Sequence, residues 1–151
     1  RALEPYLDRI DLSRHYSNFG PLVQELEQRL AADYSAKASL PLEVVTVSSA
    51  TAGLELALSS LELPPGSRVL VPALTFVASL TAILRAGHLP VICDIDPQSW
   101  LLTPEIADRS LQHGDCQAVI AVATFGQAQD TQAWSAWQQR TGISGSGSAR
   151  A

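Results

Sequence analysis

The 151-residue chain is 46% apolar and 17% charged, the composition of one globular unit rather than of a disordered or fibrous protein. A net charge of −5, with Lys37 the one lysine, leaves no basic stripe for a phosphodiester backbone and argues against a nucleic-acid partner. Its apolar stretches fall short of the roughly 20 residues a spanning helix needs, and no signal-peptide pattern opens it, so a cytoplasmic protein without membrane contact is expected.

Two cysteines, Cys93 and Cys116, make neither a disulfide framework nor a zinc site and are expected to be buried free thiols. Methionine is absent, position 1 included, so the first residues read as the interior of a longer gene product.

In chain order, Gly20-Pro21 opens a helix predicted to reach about Tyr34, with Leu22, Leu26 and Leu30 on one face. Residues 43–47 read as a strand leading into Ser48-Ser-Ala-Thr-Ala-Gly53 and a helix over 51–61 marked by Leu54, Leu58 and Leu61. This layout can hold a phosphate, because a helix start offers unpaired N–H groups and a partial positive charge, and Ala50, Ala52 and Gly53 let an anion approach closely. Ser and Thr also begin ordinary helices as caps, and the residues alone leave both readings open.

Pro64-Pro-Gly-Ser67 then supplies a turn. The pattern predicts strands over 68–71, 89–93 and 118–122, and helices over 76–85 (closed by Gly87), 104–112 and 130–140. Such alternation implies an α/β fold of parallel strands joined by right-handed crossovers, with ligands gathering at the carboxyl ends of the strands. Residues 1–142 are expected to form the folded part. The Gly/Ser-rich residues 143–151 are expected to be a flexible tail, non-native or truncated.

The segments at the predicted strand ends form a succession: Ser48-Ser-Ala-Thr-Ala-Gly53, Thr75-Phe-Val-Ala78, Asp94-Ile-Asp-Pro97 and Phe125-Gly-Gln127. With Asn18-Phe-Gly-Pro21 and Gly66-Ser-Arg-Val-Leu-Val-Pro72 before and among them, the sequence resembles the nucleotide-sugar aminotransferases of the DegT/DnrJ/StrS type. The resemblance implies the N-terminal portion of a fold-type-I large domain, a parallel-rich sheet flanked by helices, in an enzyme that uses pyridoxal phosphate. It also implies amino transfer from an amino acid, usually glutamate, to a keto sugar on a nucleotide, as in polysaccharide biosynthesis, by a protein that is a homodimer at full length. Site by site, it implies that Ala50 and Thr51 bind the cofactor phosphate and that Phe76 stacks on the pyridine ring. Asn18 matches a residue near the active-site mouth, although a turn Asn is equally natural there.

The departures matter as much. The family anchors its cofactor on a lysine beyond this stretch and sets an aspartate against the pyridine nitrogen; neither has a counterpart here, and Lys37 reads as a solvated surface lysine. Where the family shows a His shortly before its Phe-Gly, this sequence has Ala123-Thr124. No catalytic residue is therefore expected in this chain, which by itself should be inactive.

Two other readings stay in view. Asp94 and Asp96 have the spacing by which a metal-dependent nucleotide-sugar transferase holds a divalent cation, although Asp96-Pro97 is also a routine turn opening. The third possibility is a non-catalytic α/β binding domain. His15, His88 and His113 read as surface histidines, and Trp100, Trp134 and Trp137 as packing residues.

Overall fold

The computed structural model describes residues 2–149, and the chain divides into two units, Arg1–Val47 and Ser48–Ala151, where the sequence predicts one. The first unit holds α1 (Glu4–Ser13), which the apolar pattern did not announce, and α2 (Pro21–Ala38), which starts at the expected proline and continues past Tyr34. No residue of α2 is buried, and Leu26 on the predicted apolar face is 48% exposed.

Residues 43–47 form no ladder among the described residues, which corrects the predicted first strand. The N–H and hydroxyl of Thr46 donate instead to the Glu27 carboxylate at 2.8 and 2.7 Å, holding that carboxyl below the usual range. A strand is a property of a pair, and alternating apolar residues predict the conformation without supplying the neighbour.

The second unit runs α3 (Ala50–Ser59), β1 (Arg68–Pro72), α4 (Ala78–Arg85), β2 (Leu89–Cys93), α5 (Pro104–Leu111), β3 (Ala118–Val122), a 3-10 turn (Thr124–Gly126), α6 (Thr131–Thr141) and β4 (Ser144–Ala149). All pairings are parallel, in the order β2-β1-β3-β4. Successive residues on a strand point to opposite faces, and the core follows that alternation. Val69, Val71, Ala118 and Ile120 pack with Leu54 and Leu58 of α3 and Ala82 and Ile83 of α4. Leu70 and Val119 point the other way, into Ile106 and Ala107 of α5 and Trp137 of α6. A parallel sheet covered on both faces is the expected α/β arrangement.

Backbone geometry in 144–149 departs from the flexible tail expected there. Ser144 registers with Ala118, Gly145 with Val119 and Ser146 with Ile120, before an irregularity preceding Val122↔Ala149. A ladder uses only main-chain N–H and C=O groups, which Gly and Ser carry like any other residue, and the edge of β3 presents the complementary row. Residues 150 and 151 of the expected tail lie outside the described residues.

Candidate functional site

From β1 the chain passes through α4 to β2 on one side, then returns through α5 to β3 on the other side of β1. The loops leaving β1 and β3 therefore diverge, and such a switch point opens a crevice beyond the carboxyl ends of the strands. A cavity of about 460 Å³ lies there. It brings together the three sequence-predicted site residues, Ala50 and Thr51 at the start of α3 and Phe76 after β1, with Ile120, Val122 and the turn after β3.

Ser49 caps α3, its Oγ accepting from the N–H of Ala52 at 3.2 Å, while the N–H of Gly53 donates to the Ser49 carbonyl at 3.0 Å. The cap reading of this segment is thus correct, and it does not exhaust the helix start: the N–H groups of Ala50 and Thr51 have no partner among the described residues. Two donors at the positive end of a helix dipole remain available to an anion.

After β1, the hydroxyls of Thr75 and Ser79 pair at 2.8 Å and tie the loop to the first turn of α4. Between them Phe76 is 76% exposed, an open ring at the cavity rather than the core residue that its place at a helix start also allowed. After β3, Phe125 has φ 52° and Gly126 φ 82°, a left-handed pair that turns the chain back over the strand end. Thr124, by contrast, is buried, and its Oγ1 has no hydrogen-bond partner among the described residues.

Among the described residues lining the cavity none is ionisable. What they offer is binding: backbone donors, hydroxyls, an aromatic face and apolar walls. These groups fit a molecule joining a phosphate to an aromatic ring. Sequence reading missed Leu54, Thr75, Ser79 and Thr124 as lining residues; their place at strand ends and a helix face was readable, their convergence was not.

The other candidates are dispersed. Asp96 Oδ2 accepts from the Gln98 N–H at 3.2 Å and from the Ser99 N–H and hydroxyl, both at 2.7 Å, which hold its carboxyl below the usual range. Asp94 Oδ1 accepts from the N–H of Ile95 at 2.9 Å. Asp96 is committed to its own turn, and no group of three or more metal-ligating side chains occurs among the described residues. Lys37 pairs with Asp33 at 2.6 Å on α2, within the first unit, where the Asn18 carbonyl also lies 2.9 Å from the His15 ring Nε2.

His15 and His113 are exposed as expected, but His88 is buried, which corrects the surface reading. It leads into β2, and its N–H donates to the Ile83 carbonyl at 3.0 Å. Trp134 and Trp137 pack edge to face with centroids 5.4 Å apart, whereas Trp100 is 52% exposed and is not a core residue. Cys93 and Cys116 are buried free thiols, as expected.

The profile of the DegT/DnrJ/EryC1/StrS aminotransferase family matches residues 3–144. The chain is 34% identical over 127 residues to GDP-perosamine synthase of Vibrio cholerae, covering 84% of this chain and 33% of that protein. It is 32% identical over 124 residues to UDP-2-acetamido-2-deoxy-3-oxo-D-glucuronate aminotransferase of Pseudomonas aeruginosa, covering 82% of this chain and 33% of that protein. Among solved structures, a DegT DnrJ EryC1 StrS aminotransferase from Brucella abortus superposes with a TM-score of 0.77 at 26% identity, covering 93% of this chain and 38% of that one. The chain thus spans about a third of the length of the curated relatives it matches. The family's members depend on pyridoxal phosphate, and the described fold is a partial α/β domain of that class.

Proposed function

The chain belongs to the DegT/DnrJ/EryC1/StrS aminotransferase family, and on that footing we propose that its cavity holds pyridoxal phosphate. The N–H groups of Ala50 and Thr51, with the Thr51 hydroxyl, bind the phosphate, and Phe76 orients the pyridine ring by stacking. When bound, the cofactor supplies the electron sink that amino transfer requires. The apolar walls formed by Leu54, Ile120 and Val122 exclude water from the ring.

The whole protein, on this reading, moves an amino group from an amino acid, glutamate by family habit, to a keto sugar carried on a nucleotide, and works as a homodimer. The substrate for which the Pseudomonas aeruginosa relative is named, a UDP-linked oxo sugar, supports that class. Taken alone, the described chain is a binding half. Its one lysine sits on α2, paired with Asp33, and no ionisable side chain lines the cavity among the described residues, which supports the reading that the chain by itself is inactive.

The observation that carries this reading is the convergence of Ala50, Thr51 and Phe76 on one cavity at the β1/β3 switch point. Amide chemical-shift mapping with pyridoxal phosphate tests it. Perturbations centred on residues 50, 51 and 76 are expected; perturbations centred on Asp94 and Asp96, with none at 48–53, would overturn it in favour of the metal-dependent alternative.

A further inference from the structure

The hydroxyl of Thr124 makes no hydrogen bond to the described residues. Thr124 lines the cavity and is 8% exposed, and its Oγ1 is buried with no partner among the described residues. A hydroxyl taken out of water without a hydrogen bond destabilises the folded state, so native proteins leave few such groups.

The backbone around it is pinned. The N–H of Gly126 donates to the Ala123 carbonyl and that of Gln127 to the Thr124 carbonyl, both at 3.0 Å. Gln129 Nε2 donates to the Val122 carbonyl at 2.7 Å, and its Oε1 accepts from Trp134 Nε1 at 3.0 Å. Phe125, with φ 52°, adds a left-handed backbone that a β-carbon disfavours. An over-determined, strained turn that keeps a polar group unsatisfied beside a cavity is the signature of a preorganised contact.

We propose that the Thr124 hydroxyl is a hydrogen-bond contact for the ring portion of the molecule held in this cavity. The inference rests on the reading of the cavity as a cofactor site. Phosphate donors are already present at the start of α3, whereas the wall from β3 offers Ile120, Val122 and Ala123 with Thr124 its one polar side chain. A hydroxyl both donates and accepts by rotating about its C–O bond, so it serves a phenolic oxygen or a ring nitrogen in either protonation state.

The test titrates the 151-residue chain with pyridoxine 5′-phosphate, which has ring and phosphate but no aldehyde to react with amines, and separately with inorganic phosphate. Thr124→Val should bind pyridoxine phosphate about fivefold more weakly, the loss of one hydrogen bond, with phosphate binding unchanged. Thr124→Ser should retain affinity. In the ligand-free state the Tm of Thr124→Val should be equal to or above that of the parent, because the orphaned group is gone; a structural hydroxyl would give a lower Tm.

Unchanged pyridoxine phosphate binding in Thr124→Val, or equal weakening of both ligands, would overturn the assignment of Thr124 while leaving the cavity reading intact. A parent chain that binds neither ligand would overturn the cavity reading, and this inference with it.

Discussion

Trp100 and Phe125 meet edge to face, ring centroids 6.0 Å apart and planes inclined at 63°, although they follow different strands and both stand exposed. Each has a left-handed backbone, φ 60° and 52°, a conformation costing a side-chain-bearing residue about 1–2 kcal/mol. Trp100 is held there by its N–H bond to the Asp96 carbonyl at 2.8 Å, so the Asp96 turn positions one ring and the turn after β3 the other. The contact joins the loops after β2 and β3. A double-mutant cycle with Trp100→Ala and Phe125→Ala, read by urea unfolding, should give a coupling of about 0.5–1.5 kcal/mol. Additive single effects would mean that the rings do not interact.

Burial pushes the Cys93 thiol up to about 11, with Cys116 raised for the same reason, and Cys93 Sγ donates to the Val71 carbonyl at 3.4 Å. Both thiols should resist iodoacetamide at pH 8 in the native state and react once urea unfolds the chain. A folded-state value above the unfolded one, about 8.5, means that the thiol's contribution to stability is full below that pH and falls as pH rises towards about 11. Cys93→Ala should flatten the alkaline decline; an unchanged decline would place its origin elsewhere.

Trp137 is 2% exposed, and its indole N–H donates to Asp108 Oδ1 at 2.8 Å, while Arg140 pairs with Oδ2 at 2.6 Å. Asp108→Ala leaves the indole donor unpaired and should cost about 1–3 kcal/mol in urea unfolding. Asp108→Asn keeps an acceptor and loses mainly the exposed ion pair, worth less than about 1 kcal/mol. Equal losses in the two variants would show that the charge, and not the indole bond, matters.

These contacts mark where sequence reading stops. Strands 89–93 and 118–122 were legible to the residue, because short apolar runs between turn signals leave little choice of element. The helix predicted over 51–61 forms as Ala50–Ser59, and the family pattern gave the roles of Ala50, Thr51 and Phe76 as expectations. Thr124 was not legible, because a hydroxyl beside a Phe-Gly turn becomes an orphan only once tertiary packing covers it. The same holds for His88, which is buried, and for Trp100, which is exposed with a left-handed backbone. The predicted strand at 43–47 failed for the converse reason, since its residues were suited to pairing and no partner lies among the described ones.

Lys37 provides a check on the proposal that this chain lacks a covalent anchor. Its ammonium pairs with Asp33, which raises its pKa and depletes the free amine. Borohydride reduction after pyridoxal phosphate treatment should label Lys37 and the amino terminus weakly and below stoichiometry. Saturable, one-to-one labelling at micromolar cofactor would contradict the expectation.

The cavity's role is tested most directly by the split between two ligands in two variants. Pyridoxine 5′-phosphate and inorganic phosphate are titrated calorimetrically into the parent chain, Phe76→Ala and Ala50→Glu. Backbone donors and one stacking face should give the parent an affinity in the millimolar range, about −4 kcal/mol. Phe76→Ala should weaken pyridoxine phosphate by about 1–3 kcal/mol and leave phosphate unchanged, because phosphate has no ring to stack. Ala50→Glu, which fills the approach to the helix start and adds like charge, should abolish both. Full binding of both ligands to Ala50→Glu, or equal weakening of both by Phe76→Ala, would contradict the account.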